Sequence, residues 1–267
     1  MKDVKIPILI YHNIDMMVSN DIYTISLSNF RSHMDWFSAW GYTSISLNDL
    51  ISWRINGNNI PDKPIIITFD DGYTSCYSLA FPALRTCSFK ASFFITTERV
   101  GKKDYLKWEE IRKMKENGME FGSHGHQHIP LTKLNQHDIQ YELKTSKTIL
   151  ENNLGMPANF LSLPGGYFND EVKQIAKGLG YKAVLTSNFG INENGMDLYA
   201  LRRIGVRGYY SHSNLERLIN NKPTLGYRAD RIFRNILKKS LGDIGYIRVK
   251  QWVLKYDYLK RKSNDST

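Results

Sequence analysis

Short apolar runs alternate along most of the chain with longer segments whose apolar residues recur at helical spacing. We predict eight strands, at residues 8–11, 43–45, 65–69, 91–94, 119–122, 160–163, 183–185 and 201–204. Most of these runs are continuously apolar rather than alternating, which is typical of parallel strands buried on both faces. The pattern therefore predicts a parallel sheet covered by helices.

Capping signals divide the segments between these strands into helices. Ser46 is followed three residues later by Asp49, the spacing of a capping box. Further helices are predicted at residues 28–41, with Ser28 as the cap, and at 108–118, 135–155 and 169–180. Repeated strand–helix units define an α/β fold, and either a doubly wound sheet or a closed barrel satisfies them.

Composition is that of a globular protein with 267 residues, 42% of them hydrophobic, enough for one large core. No apolar run approaches the roughly 20 residues that span a bilayer, and the N-terminal segment does not resemble a signal peptide. We therefore expect a cytoplasmic protein. Its two cysteines, Cys76 and Cys87, are expected to be free thiols.

Polar, titratable side chains follow three of the predicted strands directly. His12 follows the first strand, Asp70 and Asp71 follow the third, and His124 follows the fifth, with His128 four residues later. Carboxyl ends of parallel strands meet at one edge of a sheet, where α/β proteins place their chemistry. Two histidines and one carboxylate form a common catalytic metal site with open positions. If Asp71 binds a divalent cation, Asp70 can stay ionised beside it as a base.

The segments "TFDDG" and "SHGHQH", about fifty residues apart, carry a family resemblance. With "ILIYH", "KASFFI", "LSLPGGYFN" and "ALRRIGV", they resemble the polysaccharide deacetylases of the NodB-homology type, carbohydrate esterase family 4, in a branch with an N-terminal Tyr-His motif. The resemblance covers residues 6 to 210. It implies a distorted (β/α)7-8 barrel and metal-dependent removal of acetyl groups from N-acetylated sugars of a polysaccharide, oligosaccharide or glycolipid.

The resemblance also implies roles for individual residues. Asp70 corresponds to the family's base, which takes a proton from the attacking water. Asp71, His124 and His128 correspond to the ligands of one divalent metal ion, foremost zinc, although cobalt, nickel or manganese would suit the same ligands. The backbone N–H of Tyr73 is expected to stabilise the oxyanion. Pro164 and Gly165 are expected to contact the substrate.

Two departures from the family pattern affect the acid and the support of the base. The usual late histidine acid has no clear equivalent, so we expect His12 to be the acid, with His212 as the alternative. Ser162 stands where an arginine often orients the base, and Arg203 could substitute for that arginine from a later strand. His33 and His137 lie on predicted helices and are expected to be ordinary surface residues.

Charge separates the C-terminal segment from the rest. From residue 222 onward there are 12 Lys+Arg against 4 Asp, a net of +8 within a total of +10. We therefore predict a catalytic domain at 1–221 and a basic, amphipathic helical extension at 222–267. The extension is expected to pack on the barrel or on another subunit. Peripheral contact with an anionic membrane is the alternative, and no nucleic-acid partner is expected.

Two other functions remain open at this point. A hydrolase of the same fold could act on a non-sugar amide. A non-catalytic saccharide-binding scaffold could retain the fold without turnover, although all four residues of the expected base and metal site are present. Acetate release from N-acetylated saccharides distinguishes these functions from a carbohydrate deacetylase.

Overall fold

A computed structural model of the chain describes residues 4–19 and 21–223. Eight strands of this part form one parallel sheet: β1 (Ile8–Tyr11), β4 (Thr43–Ser44), β5 (Pro64–Phe69), β6 (Ser92–Ile95), β7 (Glu120–Ser123), β8 (Phe160–Ser162), β9 (Ala183–Leu185) and β10 (Ile204–Gly205). Two further short strands, β2 (Asn13–Asp15) and β3 (Thr24–Ser26), pair with each other. The sequence pattern missed both strands, because each has only three residues, too few to show a period.

The sheet curls into a distorted barrel. Its strand order is β10-β1-β5-β6-β7-β8-β9, and β4 pairs with the beginning of β5. At the two ends of this order, Leu185 in β9 bridges in parallel to Leu201, three residues before β10. The two edges therefore approach each other. This is the α/β, distorted (β/α) barrel that the family resemblance implies.

Seven α-helices are found in the described part: α1 (Leu27–Ala39), α2 (Leu47–Asn56), α3 (Phe81–Thr86), α4 (Trp108–Glu116), α5 (Gln136–Leu154), α6 (Asp170–Gly178) and α7 (His212–Ile219). A π-helical turn, Cys76–Ala80, leads into α3. One buried hydrophobic cluster joins α2 to side chains of several strands, among them Ile8 of β1 and Ile66 of β5. A second cluster lies beneath α5 and α6. The helices therefore bury their apolar faces against the sheet, as amphipathic helices do.

Most predicted helix starts agree with the structure, but one does not. The capping box of Ser46 and Asp49 is present at α2, and Asn135 caps α5 by accepting the N–H of Asp138. The cap of α1, however, is Ser26 and not Ser28, because the Ser26 hydroxyl accepts the N–H of Asn29. Ser26 ends β3 in an extended conformation, and the pattern that missed β3 also misplaced the cap.

Residues 4 to 221 belong to one compact unit. The predicted extension at 222–267 lies, from residue 224 onward, outside the described residues. Within those residues, none of the helices combines the length and the apolar character needed to cross a bilayer. The two cysteines are free thiols in the structure, Cys76 buried and Cys87 partly exposed.

Candidate active site

Adjacent strands bring the predicted site residues to one edge of the sheet. The β1–β5 register pairs Tyr11 with Phe69, so His12 and Asp70 leave neighbouring strands side by side. The backbone N–H of Asp70 still donates to the Tyr11 carbonyl at 3.0 Å, which extends the ladder by one residue. His124 follows β7 at the same edge. The carboxyl ends of parallel strands thus gather residues that are far apart in sequence.

A tight turn makes the two adjacent carboxylates diverge. Asp71 has φ 75° and Gly72 has φ 81°, so two successive residues adopt the left-handed conformation. Glycine adopts it freely, and aspartate does so more readily than most residues. The turn separates the side chains, since Asp70 contacts Arg203 and Asp71 contacts His124.

Asp71, His124 and His128 form a cluster suited to a metal ion. One potential ligand atom from each residue lies within 4.8 Å of the others. Asp71 Oδ1 is 2.9 Å from Nε2 of His128 and 3.4 Å from Nε2 of His124. The same Oδ1 is buried and has no hydrogen-bond partner of acceptable geometry in the described part of the chain. One carboxylate and two imidazoles converge on the same point, which fits a shared cation.

Hydrogen bonding fixes the ring of His124. Its Nδ1 lies 2.8 Å from the backbone carbonyl of Ser162, and that carbonyl can only accept, so Nδ1 donates. In the neutral ring Nε2 carries the lone pair, and it faces Asp71. A metal-binding histidine commonly donates its other nitrogen to a carbonyl in this way. His128 differs from His124 in its backbone, which adopts the left-handed conformation with φ 63°.

Asp70 is bound by a buried arginine that directly precedes β10, two strands away in the sheet order. Arg203, 1% exposed, donates from Nη1 and Nη2 to Oδ1 and Oδ2 of Asp70 at 2.9 and 2.8 Å. Its remaining N–H groups reach the hydroxyls of Thr68 and Ser162 and the carbonyl of Thr186. The Ser162 hydroxyl also donates to Asp70 Oδ2 at 3.0 Å. All five guanidinium N–H groups are therefore used, and the carboxylate is fixed in the plane of the guanidinium.

These contacts keep both carboxylates ionised. Burial alone would raise the pKa of Asp70, but nearby positive charge, foremost that of Arg203, outweighs it and lowers the pKa. Burial likewise opposes ionisation of Asp71, yet the contacts with His124 and His128 hold its pKa well below the usual value. Two adjacent aspartates can therefore both be charged, because each faces its own cationic or polar partner.

His12 lies close to the carboxylates, and His212 does not. Burial lowers the pKa of His12, against the opposing effect of the charges of Asp71 and Asp70. Its Nδ1 is buried and has no hydrogen-bond partner within the described ranges. Nε2 of His212 instead lies 2.8 Å from the Ser32 hydroxyl.

The His212 ring stacks on Trp36, with ring centroids 6.0 Å apart. Both Ser32 and Trp36 belong to α1. His212 therefore occupies the outer helical layer, between α7 and α1, and not the strand-end rim.

The three residues predicted to contact the substrate, Tyr73, Pro164 and Gly165, lie in turns close to the residues of the metal cluster. Tyr73 forms an antiparallel bridge with Tyr105. Two backbone hydrogen bonds flank this bridge, one from the N–H of Leu106 to the carbonyl of Gly72 and one from the N–H of Thr74 to the carbonyl of Asp104. In such a non-hydrogen-bonded pair the N–H of Tyr73 points away from the bridge partner. Pro164 and Gly165 lie in the turn after β8. The Pro164 ring packs near Gly125, at the start of the loop that carries His128.

Two contributors to the site were not predicted as such. Ser162 was treated only as a missing arginine, whereas its hydroxyl and its carbonyl contact Asp70 and His124. Glu142 is buried in α5 and accepts the backbone N–H groups of His126 and Gln127 at 2.9 Å. Glu142 falls on the apolar face of α5 at helical spacing, so a charge on a predicted core face was the available signal.

Comparisons with known proteins identify the family of the chain. The family model described as polysaccharide deacetylase matches residues 57–184. YxkH of Bacillus subtilis, assigned to the polysaccharide deacetylases, is 30% identical over 205 residues, which cover 77% of this chain and 72% of YxkH. The peptidoglycan-N-acetylglucosamine deacetylase of Bacillus cereus is 31% identical over 138 residues, covering 51% of this chain and 61% of that enzyme.

A solved structure is similar to this chain over the whole barrel. Deacetylase PplD of Streptococcus pyogenes, in complex with acetate, superposes with a TM-score of 0.77 and 28% identity, covering 82% of this chain and 99% of that one. The chain belongs to the polysaccharide deacetylase family. It is accordingly a hydrolase of the carbohydrate esterase family 4 type.

Proposed function

We propose that the protein is a metal-dependent N-deacetylase that hydrolyses the acetamide of an N-acetylated saccharide. One observation carries the proposal. A buried carboxylate oxygen of Asp71 lies 2.9 and 3.4 Å from the Nε2 atoms of two imidazoles, directly beside the carboxylate that Arg203 holds ionised. Metal ligands and a separate charged base, adjacent in sequence but differently bonded, suit the hydrolysis of an unactivated amide.

Asp71, His124 and His128 would hold the ion, most suitably zinc. When bound there, a divalent ion would polarise the acetamide carbonyl and lower the pKa of its water. His124 offers Nε2 because the Ser162 carbonyl fixes its Nδ1 proton. The three residues leave coordination positions open, as a catalytic rather than a structural zinc site requires.

Asp70 accepts a proton from the attacking water. Arg203 and Ser162 hold its carboxylate in one orientation, so little reorganisation is needed when the proton arrives. The low pKa makes Asp70 a weak base in isolation, but it guarantees the ionised form at neutral pH. Arg203 thus serves to orient the base and keep it charged.

His12 donates a proton to the leaving amine, since an amide anion is a very poor leaving group. It lies at the end of the strand next to Asp70, on the rim that the substrate must reach. The N–H of Tyr73 would donate to the developing oxyanion, and the turn at Pro164 and Gly165 would bound the acetyl pocket.

The proposed substrate is a polymer or oligomer of N-acetylglucosamine. The Bacillus cereus relative is named for peptidoglycan N-acetylglucosamine, and the poly-β-1,6-N-acetyl-D-glucosamine N-deacetylase of Staphylococcus aureus is 26% identical over 174 residues, 60% of each chain. A glycolipid substrate and membrane contact through residues 222–267 remain proposals from the sequence alone.

Acetate release tests the proposal. The purified chain would be stripped with a chelator, reloaded with zinc or cobalt, and offered β-1,4- and β-1,6-linked N-acetylglucosamine oligomers and peptidoglycan fragments. We expect acetate only from the reloaded protein. His12→Ala should lose most of the rate with its ion retained. His137→Ala is the matched control, because the His137 side chain on α5 is 91% exposed.

Other outcomes would favour the other functions. Hydrolysis of small cyclic amides or ureides but not of the saccharides would identify an amidohydrolase of the same fold. Saccharide binding without acetate release would identify a binding scaffold. Full activity in His12→Ala would remove His12 from the mechanism.

A further inference from the structure

The loop between the two histidine ligands, residues 125–128, is anchored on one side by the turn that follows β6. The N–H of Thr97 donates to the Gly125 carbonyl at 3.3 Å, and that of Glu98 donates to the His126 carbonyl at 3.0 Å. The Thr97 hydroxyl also lies 2.9 Å from Nδ1 of His126. These contacts account for two carbonyls of the loop, those of Gly125 and His126, but not for its N–H groups.

A single buried carboxylate takes two of those N–H groups. Glu142 on α5 is 2% exposed, and its Oε2 accepts from the N–H of both His126 and Gln127 at 2.9 Å. The other oxygen, Oε1, is buried and has no hydrogen-bond partner within the described part of the chain. The polar contacts found for this carboxylate are therefore directed at the loop.

The loop needs such an anchor because its backbone is unfavourable at His128. Gly125 has φ 75° and His128 has φ 63°, in the left-handed region that a histidine rarely adopts. Holding a non-glycine residue there costs of order 1–3 kcal/mol and persists only where the surroundings enforce it. Release of the loop would let His128 return to negative φ and swing its imidazole away from Asp71.

We propose that Glu142 is a positioning residue for the metal site, which presets the 125–128 loop so that His128 faces Asp71 before any ion arrives. Glu142 acts through the backbone of His126 and Gln127 and touches no reacting atom. The inference rests on the proposed function, since it assumes that His128 is a ligand. Loss of a hydrogen bond behind a metal ligand typically weakens metal affinity about 10- to 100-fold.

Three variants separate the positioning role from charge and from general stability. Glu142→Gln removes the charge but keeps an oxygen that can accept both N–H groups. Glu142→Asp keeps the charge but withdraws the carboxylate by one methylene. Glu142→Met keeps the approximate volume and removes the acceptor. The affinity of each chelator-stripped chain for zinc and cobalt would be measured by titration calorimetry against a competing chelator, together with its thermal midpoint without metal.

We expect Glu142→Gln to bind metal nearly as tightly as the wild type, and Glu142→Asp and Glu142→Met to bind about 10- to 100-fold more weakly. Glu120→Met is the matched control. Glu120 is also buried, accepts the N–H groups of Leu47 and Asn48, and begins β7 at the end opposite His124. That variant should lose stability while its folded form keeps the wild-type metal affinity.

Two results would overturn the inference alone. Wild-type affinity in all three Glu142 variants would make the contact merely structural, and tight binding by Glu142→Asp with weak binding by Glu142→Gln would make charge the determinant. Should Glu142→Met not fold, the other two variants still decide between these outcomes. A wild-type chain that takes up no ion would instead overturn the metal site, and the inference with it.

Discussion

At the scale of single residues, the site depends on a buried arginine that reaches the base from the start of β10. Arg203 has no exposed side-chain surface, and the side chain of Asp70 is 5% exposed. Either charge alone would be strongly destabilising at such burial, because nothing would compensate its loss of hydration. Arg203 and Asp70 are therefore stable in the core only when both are present. The arginine therefore contributes to folding and to the ionisation of the proposed base at the same time.

Arg203→Met should be strongly destabilising at neutral pH. It leaves Asp70 buried without a counter-charge, which costs about 3–5 kcal/mol. Arg203 lowers the pKa of Asp70 in the wild type, a contribution present above the unfolded pKa and lost as pH falls. The difference between variant and wild type should therefore shrink in acid. Urea unfolding in chelator at neutral and acid pH measures it, and an equal loss at both would argue against a charged pair.

His33 provides a second pH-dependent prediction, because it is not the surface residue that the sequence suggested. It is 2% exposed, its Nδ1 is 3.3 Å from the Tyr11 hydroxyl, and burial lowers its pKa to about 4. In the unfolded chain the His33 imidazole binds a proton near pH 6.5, whereas in the folded chain it binds one only near pH 4. Stability from this residue is complete above pH 6.5 and declines between pH 6.5 and 4.

Replacing His33 with asparagine removes that decline. Relative to the wild type, His33→Asn should gain up to about 3 kcal/mol in unfolding free energy between pH 7.5 and pH 4, whatever its offset at neutral pH. As a control, the unfolding free energy of His137→Asn, on the exposed face of α5, should change with pH in parallel with that of the wild type. If His33→Asn also runs parallel, then His33 titrates in the folded state as it does in the unfolded one.

At the scale of elements, the beginning of α1 tests how well local signals locate a helix. Ser26→Ala should cost about 1 kcal/mol of unfolding free energy, since it removes the acceptor of the Asn29 N–H. Ser28→Ala, inside the first turn, should cost much less. Denaturant unfolding of the two variants compares the caps directly, and the opposite ranking would restore Ser28 as the cap.

The same contrast explains which elements could be predicted. Continuous runs such as "IIITF" and "ASFF" predict buried strands without knowledge of their neighbours, and the capping box at Ser46 locates α2. The strand β3 has three residues, and the π-helical turn at Cys76–Ala80 has no distinguishing period. Elements that are short or irregular depend on tertiary contacts, which a one-dimensional pattern does not contain.

At the scale of the whole molecule, barrel closure is what sequence reasoning lacked. Strand-end residues such as His12, Asp71 and His124 could be proposed because parallel strands align their carboxyl ends. The contact of Arg203 with Asp70 spans 133 positions and depends on β10 lying beside β1, the neighbour of β5. The Ser162 hydroxyl lies three strands from Asp70 in the sheet order and reaches it because the sheet curls into a barrel. Glu142 reaches the histidine loop across a helix–sheet packing layer, and no spacing rule indicates that contact.

The central claim divides two adjacent aspartates into a metal ligand and a base, and one paired measurement tests it. Bound zinc per chain and acetate release would be determined on the same preparations of wild type, Asp70→Asn and Asp71→Ala. We expect Asp70→Asn to keep about one ion and to release no acetate above background, and Asp71→Ala to lose both the ion and the activity. Full activity in Asp70→Asn, or zinc retained at wild-type affinity in Asp71→Ala, would show that the division assigned here is wrong.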